Sequence, residues 1–352
     1  MLLEKISKKY LIGLIVGVSV VVITGGLVVA GVIKIDWGFL FYTKANALIE
    51  SAIQNTMESN AFKFQTQATV NLSGIVNVAT AGDSSSAPQT ILNFALVATG
   101  FLDQADKNNT KQDIVAQAVL ETGGTKMVGD AELRVFGEKT YLLINALPTI
   151  FGDLSSLKGQ WIYLDKSLFQ QNDSNQLSGE QYQKLAQELV TLLKGQGLFG
   201  IKKTLDDEDV KGQTAKHYLV YLNKQAVKRV APNFFKLAAK YLPETERKDY
   251  ESNLTKLNQE LPRAIEDFWK ITGGINFDLW ISNGKLVQVK WEKELDLSNL
   301  EELKNDVQQA KTNLNLSLVY FDFGQKVLVE KPVGAKTLEE LSASSTATNI
   351  KQ

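Results

Sequence analysis

Few residues in this chain have both the type and the spacing to do chemistry. Gly195, Gly197 and Gly200 (GQGLFG) spell GxGxxG, a pattern that cradles a pyrophosphate when it joins a strand to a following helix. Here the order is reversed. A helical pattern ends at Lys194-Gly195 and Ile201 to Asp206 reads as extended, so the glycines predict a flexible helix-to-strand loop, not a dinucleotide site. His217 is the single histidine, set between Lys216 and Tyr218 in a strand pattern. With no second histidine and no cysteine it has no partner for a metal site or a triad, and a structural role is expected. Asp206, Asp207, Glu208 and Asp209 form an acidic run without the alternating ligands and the glycine of a calcium loop, so a solvated turn is expected. The other carboxylates are scattered, and spacing alone does not pair them for acid and base work. No catalytic, cofactor or metal site is predicted, and the chain reads as non-catalytic.

The composition excludes further classes. The chain has 352 residues and no cysteine, which removes disulfides, thiolate metal sites, thiol nucleophiles and a lipidated cysteine. With 38 basic and 39 acidic residues the formal charge is −1, so nothing in the balance attracts a polyanion and nucleic acid is not an expected partner.

Leu11 to Ile33 is an uninterrupted apolar run of 23 residues, preceded by Lys5, Lys8 and Lys9. As a helix it would reach about 34 Å, enough for a hydrocarbon core of roughly 30 Å. The lysines predict that residues 1–10 stay cytoplasmic and that everything from Asp36 onward is extracytoplasmic. A cleavable signal peptide is the alternative, with the small Val28 and Ala30 before Gly31, but an h-region is usually shorter. The run is read as an uncleaved signal anchor in a single-pass cell-membrane protein, with the bilayer as its partner.

The scaffold must come from the residues beyond this run. Ala45, Leu48, Ile49, Ala52 and Ile53 recur at helical spacing. Phe62, Phe64, Thr66, Ala68, Val70 and Leu72 then alternate with polar residues, as in a strand with one buried face. After a polar loop at Ala79 to Gln89, strands are predicted at Thr90 to Phe101, Gln112 to Leu120, Met127 to Phe136, Lys139 to Asn145 and Gln160 to Asp165. A capping box at Ser178 and Gln181 opens a helix with Tyr182, Leu185, Leu189 and Leu192 on one stripe. Thr214 to Leu222 returns to strand. Asn223 caps a helix carrying Val227, Val230, Phe234, Leu237 and Tyr241, and a further helix runs through Tyr250 to Leu261 and restarts at Pro262 before Gly273-Gly274. A hairpin turning at Ser282-Asn283-Gly284 and strands at Asn313 to Phe321 and Gln325 to Glu330 close the pattern. Ser342 to Gln352 is polar enough to be disordered.

The expected fold class is α+β: an antiparallel sheet from before and after the helical section 224–270, within one domain spanning 36–341 and covered by helices. In one strand Ile114, Ala116, Ala118 and Leu120 alternate onto one face. Small residues facing the helices of 224–270 would leave an apolar cavity suited to a lipid or another amphiphile, unless Phe94, Trp161 and Phe277 fill it as core.

The order of elements also resembles a known superfamily. A leading helix, Phe62-Lys63-Phe64, the meander through Gly129 to Asn145, the stretch GQTAKHYLVYLN (212–223), the C-terminal hairpin and VLVEKPVGAKTLEEL (327–341) are similar to the extracytoplasmic lipoprotein carriers of the LolA and LppX/LprG type. The resemblance implies a curved antiparallel half-barrel closed by helices over an apolar cavity, in a bacterial cell envelope. Two departures stand out: no lipid-bearing cysteine, its place taken by the apolar anchor, and an unusually large helical section. A tethered domain does not shuttle between membranes. The expected function is a membrane-anchored, non-catalytic binding protein for a lipid or amphiphile. The alternative is an envelope interaction or sensor module whose core is filled and which docks a protein partner.

Overall fold

The computed structural model describes residues 44–76, 89–106, 109–137, 139–148, 157–164, 196–242, 244–297, 307–337 and 340–341, with single positions between 181 and 192. The expected anchor Leu11 to Ile33, the loop at 79–88, the cap at Ser178 and the tail 342–352 lie outside the described residues. Among the described residues no helix is long and apolar enough to cross a membrane.

The elements are α1 (Lys44–Met57), β1 (Ala61–Val76), β2 (Gln89–Asp103), β3 (Lys111–Thr122), β4 (Thr125–Phe136), β5 (Lys139–Ala146), β6 (Trp161–Leu164), β7 (Phe199–Thr204), β8 (Glu208–Val210), β9 (Gln213–Leu222), α2 (Lys224–Lys240), α3 (Glu244–Thr272), β10 (Asn276–Ser282), β11 (Lys285–Asp296) and β12 (Val307–Phe321). Twelve strands hydrogen-bond in the order β6-β5-β4-β3-β2-β1-β12-β11-β10-β9-β7, with β8 paired to β9 off that path. The sheet is open, and β12 from the end of the chain lies next to β1 from its beginning. The chain divides into two compact units: residues 1–58, 73–89 and 173–313, and residues 59–72, 90–172 and 314–352.

The first unit holds the three helices. In α1, Ile49 and Ala52 are fully buried. Leu286 N donates to Thr56 Oγ1 at 2.8 Å, and Asn55 Nδ2 donates to Gly284 O at 2.8 Å, which ties α1 to the β10-β11 hairpin. That hairpin turns through Asn283 and Gly284, both at positive φ, where a glycine costs least. Asn223 caps α2 as expected, its side chain accepting from Gln225 N and Ala226 N. Glu266 on α3 receives both Lys224 and Lys228 of α2, and these two bonds hold its carboxyl far down, at about 2. One expectation is corrected here. The second helix does not restart at Pro262 but runs through it as a single helix. Ile265 is buried one turn beyond the proline, and such packing outweighs one lost backbone bond.

The second unit is a sheet with aromatic packing. Phe62 is 1% exposed and meets Tyr320 edge-on at 5.5 Å and Phe323 at 6.1 Å. Here a second expectation fails: Gln325 to Glu330 forms no strand. Val329 is buried against Ala61 and Phe101, with Val327 beside it, but the segment gains this burial without joining the ladder. Further on, Lys336 exchanges backbone hydrogen bonds with Trp161 and Tyr163 at 3.0 and 2.8 Å, an isolated parallel bridge at the β6 edge.

Candidate functional site

The hairpins of the second unit decide which side chains share a face. Thr122 pairs with Thr125 across Gly123 and Gly124, both at positive φ, a two-residue turn that sets the β3-β4 register. Residues directly opposed in an antiparallel pair leave the sheet on the same side. Ile114 therefore stands between Gly100 and Leu133, Ala116 between Ala98 and Ala131, Ala118 between Leu96 and Gly129, and Leu120 between Phe94 and Met127. The four residues expected to line the site, Ile114, Ala116, Ala118 and Leu120, share one face, and all are half-buried. On β5, Leu142 and Ile144 continue the rows from Leu133 and Ala131, and Ile162 of β6 lies beside Leu142.

No side chain on this face, from Leu92 to Leu102, Gln112 to Thr122, Thr125 to Val135 and Thr140 to Ile144 at every second position, carries a charge. Its two glycines behave differently. A Cβ on Gly100 would sit 2.5 Å from Phe64 Cζ and 2.8 Å from Asp113 O, so the ring of Phe64 fills the place of a side chain there. Among the described residues, a Cβ on Gly129 would meet nothing within 4 Å. Beside Gly129 the β4-β5 register shifts between Asp130 and Ala131, a bulge that interrupts the ladder at that position. The middle of the face is thus floored by Ala98, Ala116, Ala118, Gly129 and Ala131, with larger side chains at both ends.

The opposite face carries the charges. Arg134 Nη2 bonds Glu132 Oε1 at 2.5 Å, its Nε lies 3.5 Å from Asp113 Oδ2, its Nη1 donates to Glu330 O at 3.0 Å, and its Cζ lies 4.8 Å from the Trp161 ring centroid. Burial pushes the Asp113 carboxyl above the usual range, with Glu132 adding to the rise and Arg134 opposing it. Val97 and Val115 are 40% and 44% exposed on this side.

In the first unit His217 is held in company that the sequence does not disclose. Its Nδ1 lies 3.0 Å from Glu208 Oε1 and its Nε2 lies 2.8 Å from Asp278 Oδ1, and the ring stacks on Trp280 at 4.2 Å. Trp280 Nε1 donates to Glu208 Oε2 at 3.1 Å. The acidic run is exposed at all four positions, as expected, but it is not all turn: Glu208 and Asp209 belong to β8, and Glu208 is engaged by His217 and Trp280. Among the described residues no group of acidic, His or Cys side chains could hold a metal ion. Of the GxGxxG glycines, Gly197 lies in a loop at φ 63 and Gly200 lies in β7, where a Cβ would strike the Tyr221 ring at 2.6 Å. A strand follows the motif, as expected, so the helix N-terminus that would take a pyrophosphate is not supplied.

Comparison with protein-family models and with curated proteins gives no match. Among solved structures the chain is similar to LprF from Mycobacterium bovis, with 12% identity and a TM-score of 0.33 over 83% of this chain and 98% of that one. It is also similar to the lipoprotein LppX from Mycobacterium tuberculosis, with 10% identity and a TM-score of 0.27 over 81% of this chain and 97% of that one. LppX is of the resembled type. Ligand and chemistry rest on the residues of this chain. An uncharged face, half-buried from Ile114 to Leu120 and buried at Ala98, Leu102, Gln112 and Ile144, can hold apolar matter by burial alone, without a specific bond.

Proposed function

We propose that the chain is a non-catalytic binding protein for a lipid or another amphiphile, held on the face of β2 to β5 that carries Ile114, Ala116, Ala118 and Leu120. The observation that supports this is the position above Gly129, which no described residue occupies, in the middle of a face with no charged side chain. Apolar ligands gain roughly 25 cal/mol for each Å² removed from water, and a face without charged side chains sets no charge-desolvation penalty against that gain. Attachment through Leu11 to Ile33, with residues 1–10 in the cytoplasm and the remainder extracytoplasmic, completes the proposal: a tethered binder, not a carrier that travels.

The test is native mass spectrometry of the full chain released from its own membranes in detergent. A co-purified apolar molecule is expected on the natural chain and is lost or strongly reduced in Ala116→Phe. Absence of any adduct from the natural chain would favour the interaction or sensor module with a filled core.

A further inference from the structure

Gln112 stands at one end of the same face, directly across from Leu102 and Val135. It is 2% exposed, and among the described residues its Oε1 has no hydrogen-bond partner. A buried amide oxygen left unbonded is costly, and burial of this kind is normally matched by a donor. Charges lie on the other side of the sheet, where Asp113, Glu132 and Arg134 bond one another. Among the described residues of this face, no cation beside Gln112 is there to neutralise an ionised head group.

We propose that Gln112 is the polar end of the ligand site and that the site takes a neutral, hydroxyl-bearing amphiphile with a single acyl chain, in preference to an ionised fatty acid. The proposal rests on the reading of this face as an apolar-ligand site. Its geometry has one polar terminus and one apolar track. From Ile114 to Leu120 the strand runs about 20 Å, at 3.3–3.4 Å per residue. One leaflet of a bilayer core is about 15 Å deep, so the strand is long enough for a single acyl chain that starts at Gln112, passes the ring of Phe64 at the row of Gly100 and Ile114, and runs over Ala116 and Ala118. A neutral carboxamide oxygen accepts from a hydroxyl without demanding a counter-charge, whereas an ionised carboxylate placed against it would meet an acceptor and lose its own hydration.

The experiment measures binding of three radiolabelled probes to the detergent-solubilised full chain: 1-monooleoylglycerol, methyl oleate, and oleate at a pH where it is ionised. A site that bonds a substrate hydroxyl rejects analogues lacking it, so monooleoylglycerol is expected to bind about tenfold or more tightly than either of the others. Gln112→Leu is expected to abolish that preference while leaving methyl oleate within about threefold of its original affinity. Gln112→Met serves the same purpose should the leucine variant not fold, and the three-probe comparison needs no variant. Equal binding of monooleoylglycerol and methyl oleate by the natural chain would overturn the role of Gln112 while leaving the apolar site standing. A Gln112→Leu variant that weakens all three probes alike would show a packing role and overturn it too. Failure of every probe to bind would overturn the site itself and this proposal with it.

Discussion

Gly129→Val separates an open face from a packed one by the sign of its effect on stability. Gly129 lies inside β4, opposite Ala118, in a backbone conformation that other residues adopt, and a Cβ there meets no atom of the described residues within 4 Å. Valine places its Cβ there without displacing a described atom, and its two methyl groups reach further out over the face. It restricts the unfolded chain more than glycine does, which is worth about 0.4–1 kcal/mol. It also suits a pleated strand, on a scale spanning about 1 kcal/mol, and gains contact with Ala118 across the pair. The two gains overlap, and a net stabilisation of about 1 kcal/mol is expected, read as an increased urea midpoint by far-UV circular dichroism with an unchanged slope. The same methyl groups rise into the space assigned to the ligand, so affinity for methyl oleate should fall about tenfold, the loss of roughly two buried methylenes. Stability up with binding down is the signature of a functional opening. If Gly129→Val destabilises the protein by about 1–3 kcal/mol, as overpacking does, then the space above Gly129 is already filled and the reasoning fails.

Gly100 makes the converse case: Gly100→Val should cost about 1–3 kcal/mol or more, because Phe64 and Asp113 O already occupy the space, and a urea midpoint equal to that of the natural chain would contradict the contact. For Glu266→Gln the effect should depend on pH. The carboxyl is held at about 2, below its unfolded value, so it stabilises fully above about pH 4.5, and that contribution is lost as pH falls through about 2. The variant's deficit in urea midpoint should accordingly be present at pH 6 and vanish near pH 2, and a deficit independent of pH would exclude the Lys224 and Lys228 bonds as its cause. His217→Ala should destabilise the protein by roughly 1–3 kcal/mol, since Glu208 and Asp278 both lose a partner, and methyl oleate binding should persist; a change below about 0.5 kcal/mol would make the cluster incidental.

The features that could be read from the sequence divide from the rest along a physical line. The face of β3 is legible because alternation within one strand puts Ile114, Ala116, Ala118 and Leu120 together, while the rows they share with β4 come only with the Gly123-Gly124 turn and its register. Helix α2 was legible from Asn223 and its apolar stripe. Pairings distant in sequence were not. Glu208 and Asp278 reach His217 only once β8 and β10 flank β9, and nothing local marks an acid of an exposed-looking run as His217's partner. Residues Gln325 to Glu330 show the opposite error: Val327 and Val329 are spaced like one face of a strand, yet they satisfy their apolar side chains against a preformed cluster, and alternation cannot tell that from pairing. A glutamine at the end of a strand pattern, as Gln112 is, is ordinary until its burial is known. Gly129 likewise gave no sign of the space above it, since openness depends on the side chains that neighbouring strands place nearby.

The central claim, that the uncharged face of β2 to β5 holds an apolar ligand, is tested most directly by photolabelling the full chain in its own membranes with a monoacylglycerol carrying a diazirine in its acyl chain, then mapping the adducts by peptide sequencing. The account predicts labels within 112–122 and 127–135, at Ile114, Ala116, Ala118, Leu120 and their neighbours on the same side, reduced by an excess of unlabelled monooleoylglycerol. Labels confined to Leu11 to Ile33, or spread over Val97, Val115 and the charged side of the sheet, would contradict it.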